Sequence, residues 1–196
     1  MDASERSSLM VPILLALAVA AALAAPLVNA QQTDMGSWQQ HQVTFDYLGD
    51  VDGTHYSCDG LVDDLTFLLK QSGARVNKPV QVYPCVRGYG SPSVLLSAKL
   101  DFSTFAPAAE ASGQAASVPG TWRKVLFSAA HSSPQLHFGD CELVSEFKDK
   151  LLKYFATQDV NSNLVCIPYQ ADGGLYGLSF QTFVPSDTPH RAVGGG

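Results

Sequence analysis

Two histidines are the first candidates for chemistry. His55 stands three residues before Cys58, and His137 stands four before Cys141. Imidazole beside the carboxylates of Asp59 and Glu142 is a donor set that suits zinc or copper. Two such groups converging from related segments would make a metal site. No tight H-x-H or H-x3-H spacing accompanies them, so each histidine also reads as a loop residue leading into a helix.

The cysteines are the second candidates. Cys58, Cys85, Cys141 and Cys166 are the four in the chain. A cysteine at a helix N-terminus has a lowered pKa and can serve as a redox nucleophile. There is no C-x-x-C pair, and an even count behind an export-type leader points to structural disulfides. Other chemistry finds little support. The stretch GYGSPS lacks the G-x-S-x-G register of a nucleophile elbow. Asp63, Asp64 and Glu146 fall on the solvated faces of helices. Neither a P-loop nor a G-x-G-x-x-G is present. No cofactor is indicated.

What positions these residues is a repeat. SW at Ser37-Trp38 recurs as TW at Thr121-Trp122. Val43-Thr44-Phe45 is matched by Val125-Leu126-Phe127, and THYSCDGLVDDLTFLLK by LHFGDCELVSEFKDKLLK. VQVYPCV and NLVCIP then set Cys85 opposite Cys166, and LDFSTFAP and LSFQTFVP close the two stretches. The Trp-to-Cys spacings are 20 and 19 residues, the Cys-to-Cys spacings 27 and 25, and the Cys-to-Pro spacings 22 and 19. Two units are expected, at 37–107 and 121–185, joined by an Ala/Ser/Gly/Pro linker at 108–120. The tail, 186–196, lacks periodicity and is expected to be disordered.

Each unit reads as β-α-β-β. Cys58, Leu61, Val62, Leu65, Leu68 and Leu69 fall on one helical face, and Gly73 ends that helix. In the second unit Val144, Phe147, Leu151, Leu152 and Phe155 carry the face. Ser57 and Asp140 are the expected N-caps, with Asp59 and Glu142 in the favourable first turn. Val94 to Phe102 alternate with Lys99, Asp101 and Ser103 as a half-buried strand, and Leu178, Phe180 and Thr182 repeat it. Phe102, Phe105, Phe180 and Phe183 recur at strand spacing and are expected on one core face. The fold class is α+β: two tandem units packed as a pseudo-symmetric pair with antiparallel sheet. A unit that existed alone had only its own cysteines to pair. The expected disulfides are therefore Cys58–Cys85 and Cys141–Cys166.

The first thirty residues are read separately. Val11 to Val28 form an uncharged apolar run, interrupted by Pro12 and Pro26. Val28-Asn29-Ala30 offers a signal-peptidase site, after which Gln31 begins a polar stretch. Residues 1–30 read as a secretory signal, leaving no stable membrane anchor after cleavage. Asp2 and Glu5 outnumber Arg6 in the leader, and initiation at Met10 would remove that departure from the usual positive start. Cleavage moves the formal charge from −6 to −5. That balance argues against nucleic acid and anionic lipid as electrostatic partners.

His55 to Arg75, HYSCDGLVDDLTFLLKQSGAR, resembles a motif of uncharacterised exported proteins from Gram-negative bacteria. The aromatic-Ser-Cys-Asp start, the amphipathic helix and the Gly73-Ala74-Arg75 end carry the resemblance. The second unit departs from it, with Gly139-Asp140 in place of Ser57 and no Gly-Ala-Arg. The resemblance implies a periplasmic or secreted location and assigns no activity and no catalytic residue. The expected function is a non-enzymatic binding protein with an envelope or extracellular protein as partner. The alternatives are a periplasmic metal-binding protein using His55 and His137, and a hydrolase with its site between the units.

Overall fold

The computed structural model describes residues 34–48, 56–85, 95–110, 117–128, 136, 138–166 and 176–186. The expected leader, His55, His137, the GYGSPS and QADGG turns, the middle of the expected linker and most of the expected tail lie outside them. Strands β1 (Met35–Leu48), β2 (Arg75–Val76), β3 (Gln81–Tyr83), β4 (Leu95–Pro107), β5 (Val118–Ser128), β6 (Thr157–Asn163) and β7 (Gly177–Pro185) alternate with helices α1 (Cys58–Gln71) and α2 (Cys141–Lys150). All strand pairs are antiparallel, in the order β2-β4-β1-β5-β7-β6, with β3 also on β4. The class is α+β, as the patterning predicts.

α1 forms where Leu61, Leu65, Leu68 and Leu69 recur on one face, and all four are fully buried. Ser57 caps it, its hydroxyl accepting from the Gly60 amide at 3.0 Å. At the other end the Gly73 amide donates to the Lys70 carbonyl and the Ala74 amide to Leu69, both at 3.0 Å. This two-bond closure needs a left-handed residue, and Gly73 supplies it with φ of 93°. α2 buries Leu143, Val144 and Phe147, then tightens into a 3-10 turn at Leu152–Tyr154. Asp140 does not cap α2 with its side chain. A preceding 3-10 turn, Phe138–Asp140, leaves Asp140 at ψ of 6°, outside the extended conformation a cap adopts.

One continuous core joins both helices to the inner face of the sheet, through Phe45, Leu100, Phe102, Phe127, Leu178 and Phe180 among others. Phe105 and Phe183 are equally buried but belong elsewhere. Phe105 lies three positions after Phe102, and Phe183 three after Phe180. In a strand of period two, an odd step reverses the face. Phe105 and Phe183 therefore stack on the outer face, with ring centroids 5.4 Å apart and 12° between planes. Trp38 closes on Phe105 at 5.3 Å and Trp122 on Phe183 at 5.2 Å. Behind the rings β1 and β5 pair at Met35↔Pro119 and Gly36↔Val118. β5 thus begins at Val118, inside the expected linker.

The edges of the sheet are irregular. β2 and β3 cover β4 in two pieces. β6, on the sequence TQDVNSN, lies ahead of NLVCIP and is mostly exposed. Its register shifts between Gln158 and Asn161, around Asp159 at φ of 54°.

Candidate functional site

The outer face of β1 and β4 is polar because both strands alternate. Cross-strand pairing sets Gln40 beside Ser103, Gln42 beside Asp101 and Thr44 beside Lys99, and β3 adds Gln81 next to Lys99. Asp101 gathers this surface. Its carboxylate accepts from Gln40 Nε2 at 3.0 Å, Gln42 Nε2 at 3.3 Å and Asn77 Nδ2 at 3.0 Å. Lys78 Nζ lies 3.1 Å away. Hydrogen bonds from Asn77, Gln40 and Lys78 hold the Asp101 carboxyl down at about 2. It is ionised across the physiological range.

The Asn77 amide also donates to the Asp101 carbonyl, at 2.8 Å. This bond, with Val80 buried just beyond, pins residues 77–80 as a wall rising from the edge of β4. Between wall and sheet lies a cleft of about 310 Å³, lined by Gln42, Thr44, Lys78, Gln81, Lys99 and Asp101 among others. Its volume sits at the low end of the range for small-molecule sites. The lining offers amides that donate and accept, one hydroxyl and two ammonium groups. It can recognise a polar ligand; it presents no nucleophile paired with a base.

A second polar group is buried where the two helices begin. Tyr56 donates to Asp140 Oδ1, and Tyr47 to Glu142 Oε2 at 3.4 Å. Tyr47 and Tyr56 meet edge to face at 5.2 Å. Burial raises the hydroxyl pKa of both tyrosines, and the carboxylates of Glu142 (for Tyr47) and Asp140 (for Tyr56) raise it further. Tyr176 is raised as well, by burial first and then by Asp140 and Asp64. These phenols stay protonated as donors. A third group is His41, whose Nε2 lies 2.8 Å from Thr104 Oγ1, while Thr104 donates to the Tyr154 carbonyl at 2.8 Å. Thr104 uses its proton on Tyr154, so His41 Nε2–H is the donor to it. Burial lowers the His41 pKa.

The disulfides are the expected pairs, Cys58–Cys85 and Cys141–Cys166, with Cα separations of 5.9 and 5.5 Å. Asp59 and Asp63 are exposed on α1, and Glu146 pairs with Lys150 on α2. Among the described residues, no three His, Cys, Asp or Glu side chains gather to hold a metal ion. His55 and His137 lie outside those residues. The Asp101 cleft was not legible as a site: Lys99 and Asp101 read as the polar half of an alternation. Only the pairing of β1 with β4 brings Gln40 and Gln42, 61 and 59 residues away in sequence, to Asp101.

Fold and cleft together define a disulfide-stapled α+β protein with a polar surface and a cleft on its sheet. Among the described residues no helix is long and apolar enough to cross a membrane. Set against protein-family models, curated proteins and solved structures, the chain gives no match.

Proposed function

We propose that this chain is an exported, non-enzymatic binding protein, periplasmic or secreted, cleaved after Ala30 and built from two fused copies of one β-α-β-β unit. Several parallels support the duplication. Trp38 pairs with Phe105 as Trp122 pairs with Phe183. A glycine stands two residues before each tryptophan, and a disulfide ties each helix start to a later segment. Disulfides suit an oxidising compartment.

The observation that carries the binding reading is the asymmetry of the outer face. On the pairing register, the row Gln42–Asp101 corresponds to Leu126–Ser179. One copy holds a carboxylate fixed by four donors beside a cleft, and the other holds a leucine and a serine at the same place. The ligand surface therefore belongs to the first unit. Immobilised protein spanning residues 31–196, exposed to envelope extract, tests this. A component retained by the wild type and lost by Thr44→Ala/Gln81→Ala supports the reading. Retention indifferent to those cleft changes refutes it.

A second reading has one observation in its favour. Tyr56 and Asp140, close in sequence to His55 and His137, are hydrogen-bonded to each other. A metal held by His55 and His137 would then bridge the two helix starts. Metal analysis of purified mature protein, compared with His55→Ala/His137→Ala, decides it: metal lost in the double variant supports the reading, and metal-free wild-type protein refutes it.

A further inference from the structure

The charges in the cleft are unequal in availability. Asp101 is saturated, accepting from Gln40, Gln42, Asn77 and Lys78. Lys78 is committed to it, though its side chain stays largely exposed. Lys99 is different. It stands mid-row between Thr44 and Gln81, exposed, and among the described residues no carboxylate pairs with it. Its ammonium lies 5.3 Å from the Tyr83 ring centroid, a contact that places the charge without neutralising it. The chain as a whole carries −6, whereas the cleft lining holds two ammonium groups, Lys78 and Lys99, against one carboxylate, Asp101, which is already satisfied. Beside Lys99 stand an hydroxyl and two side-chain amides, groups that each donate and accept.

We propose that the cleft binds a small sugar acid: a carboxylate of monosaccharide size, its anionic group on Lys99 Nζ and its hydroxyls on Thr44, Gln42 and Gln81. The inference rests on the cleft being the binding surface and adds the class of ligand. A charge-assisted hydrogen bond is roughly twice as strong as a neutral one, so the carboxylate distinguishes this ligand from a neutral sugar. The volume of about 310 Å³ accommodates one sugar ring and its substituents, and not an extended chain. A pair exposed to water also weakens with salt.

The test uses mature protein labelled with 15N and titrated separately with D-glucuronate, D-glucose and a glycyl-glutamate dipeptide at low ionic strength. The expected result is movement of amide resonances at residues 42–44, 78–81 and 99–101 with glucuronate, and binding of glucose weaker by about tenfold or more. Lys99→Gln should lose the glucuronate preference, Lys99→Arg should keep it, and Lys124→Gln, on the outer face of β5, should change nothing. Lys99 is exposed, so each variant's own spectrum reports whether it is folded. Equal binding of glucose and glucuronate in the cleft overturns the anion assignment and leaves the cleft standing. Dipeptide binding without glucuronate binding overturns the sugar class. Shifts elsewhere, or none with any probe, overturn both.

Discussion

Gly120→Ala isolates the contact between the two halves. A methyl group on Gly120 would lie 2.3 Å from Phe183 Cζ, 2.5 Å from Phe183 Cε1 and 2.8 Å from Phe105 Cε1. Carbon atoms in contact sit about 3.5–4.0 Å apart, so at least one ring must move by about an ångström. The rings have nowhere to go. Each is about 98 % buried or more and stacked on the other, with a tryptophan closing each side. Overpacking of this kind costs about 1–3 kcal/mol, and the closure on both sides places Gly120→Ala in the upper half of that range. Gly36→Ala should cost as much, because its methyl would meet both rings at 2.6 Å and the Ala106 carbonyl at 2.7 Å. Gly177→Ala is the control. It lies in the same β5–β7 pair, nothing stands within 4 Å of its added carbon, and its effect should stay within about 0.5 kcal/mol.

Urea unfolding with disulfides intact measures these differences, followed by circular dichroism and by the fluorescence of Trp38 and Trp122, which flank the stack. Gly120→Ala/Phe183→Leu completes the argument. Replacing the ring clears the space, so the double variant should be more stable than the sum of the single effects by about 1 kcal/mol or more. A Gly120→Ala protein within about 0.5 kcal/mol of wild type, or strict additivity in the double variant, would refute the seam as described.

Three other outcomes are expected. Tyr56→Phe removes a donor from Asp140, which is buried, and should destabilise by about 1–3 kcal/mol in the same urea assay; a neutral result would show that Asp140 does not depend on it. His41 is held neutral by burial, its folded pKa below the unfolded value of about 6.5, so its contribution is complete above that pH and is lost as pH falls from there toward the folded pKa; His41→Gln should flatten stability over that window, and an unchanged acid slope would contradict it. Each disulfide closes a segment of 27 or 25 residues and should contribute about 3–4 kcal/mol, with Cys58–Cys85 reduced first because Cys85 is exposed while Cys141 is 8 % exposed; alkylation mapping that finds the opposite order would contradict this.

The parts legible in sequence were the local ones. α1 announces itself by leucines at helical spacing, a serine cap and a glycine stop, and all three act within the helix. The disulfides were legible because each joins cysteines near in sequence, 27 and 25 residues apart. The seam was not, because Gly36 and Gly120 carry no side chain to align, and their meaning appears only when Phe105 and Phe183 arrive from distant strands. The alternation was readable but its phase was not. Matching Val43–Phe45 with Val125–Phe127 slips by two residues against the pairing, where Val43 faces Leu100 and Phe127 faces Leu178. A slip of two keeps every side chain on its own face, so the pattern cannot detect it. Asp140 has the residue type of a cap, yet the tertiary partner Tyr56 takes its carboxylate. β6 has no apolar period at all, since a strand paired on one side and solvated on both faces needs none.

β6 also determines how molecules of this protein can meet. A strand arriving from another molecule would find mostly side chains of Gln, Asp, Asn and Ser, with Val160 exposed among them but no apolar row to bury, and a hydrogen-bond ladder broken at Asp159. At the opposite border β2 and β3 are two short fragments on the same edge of β4, interrupted by residues 77–80 with Pro79 among them. Growth by adding strand to strand is closed at both ends of the described sheet. For the described residues, contacts with other molecules fall to the faces of the sheet rather than to its borders.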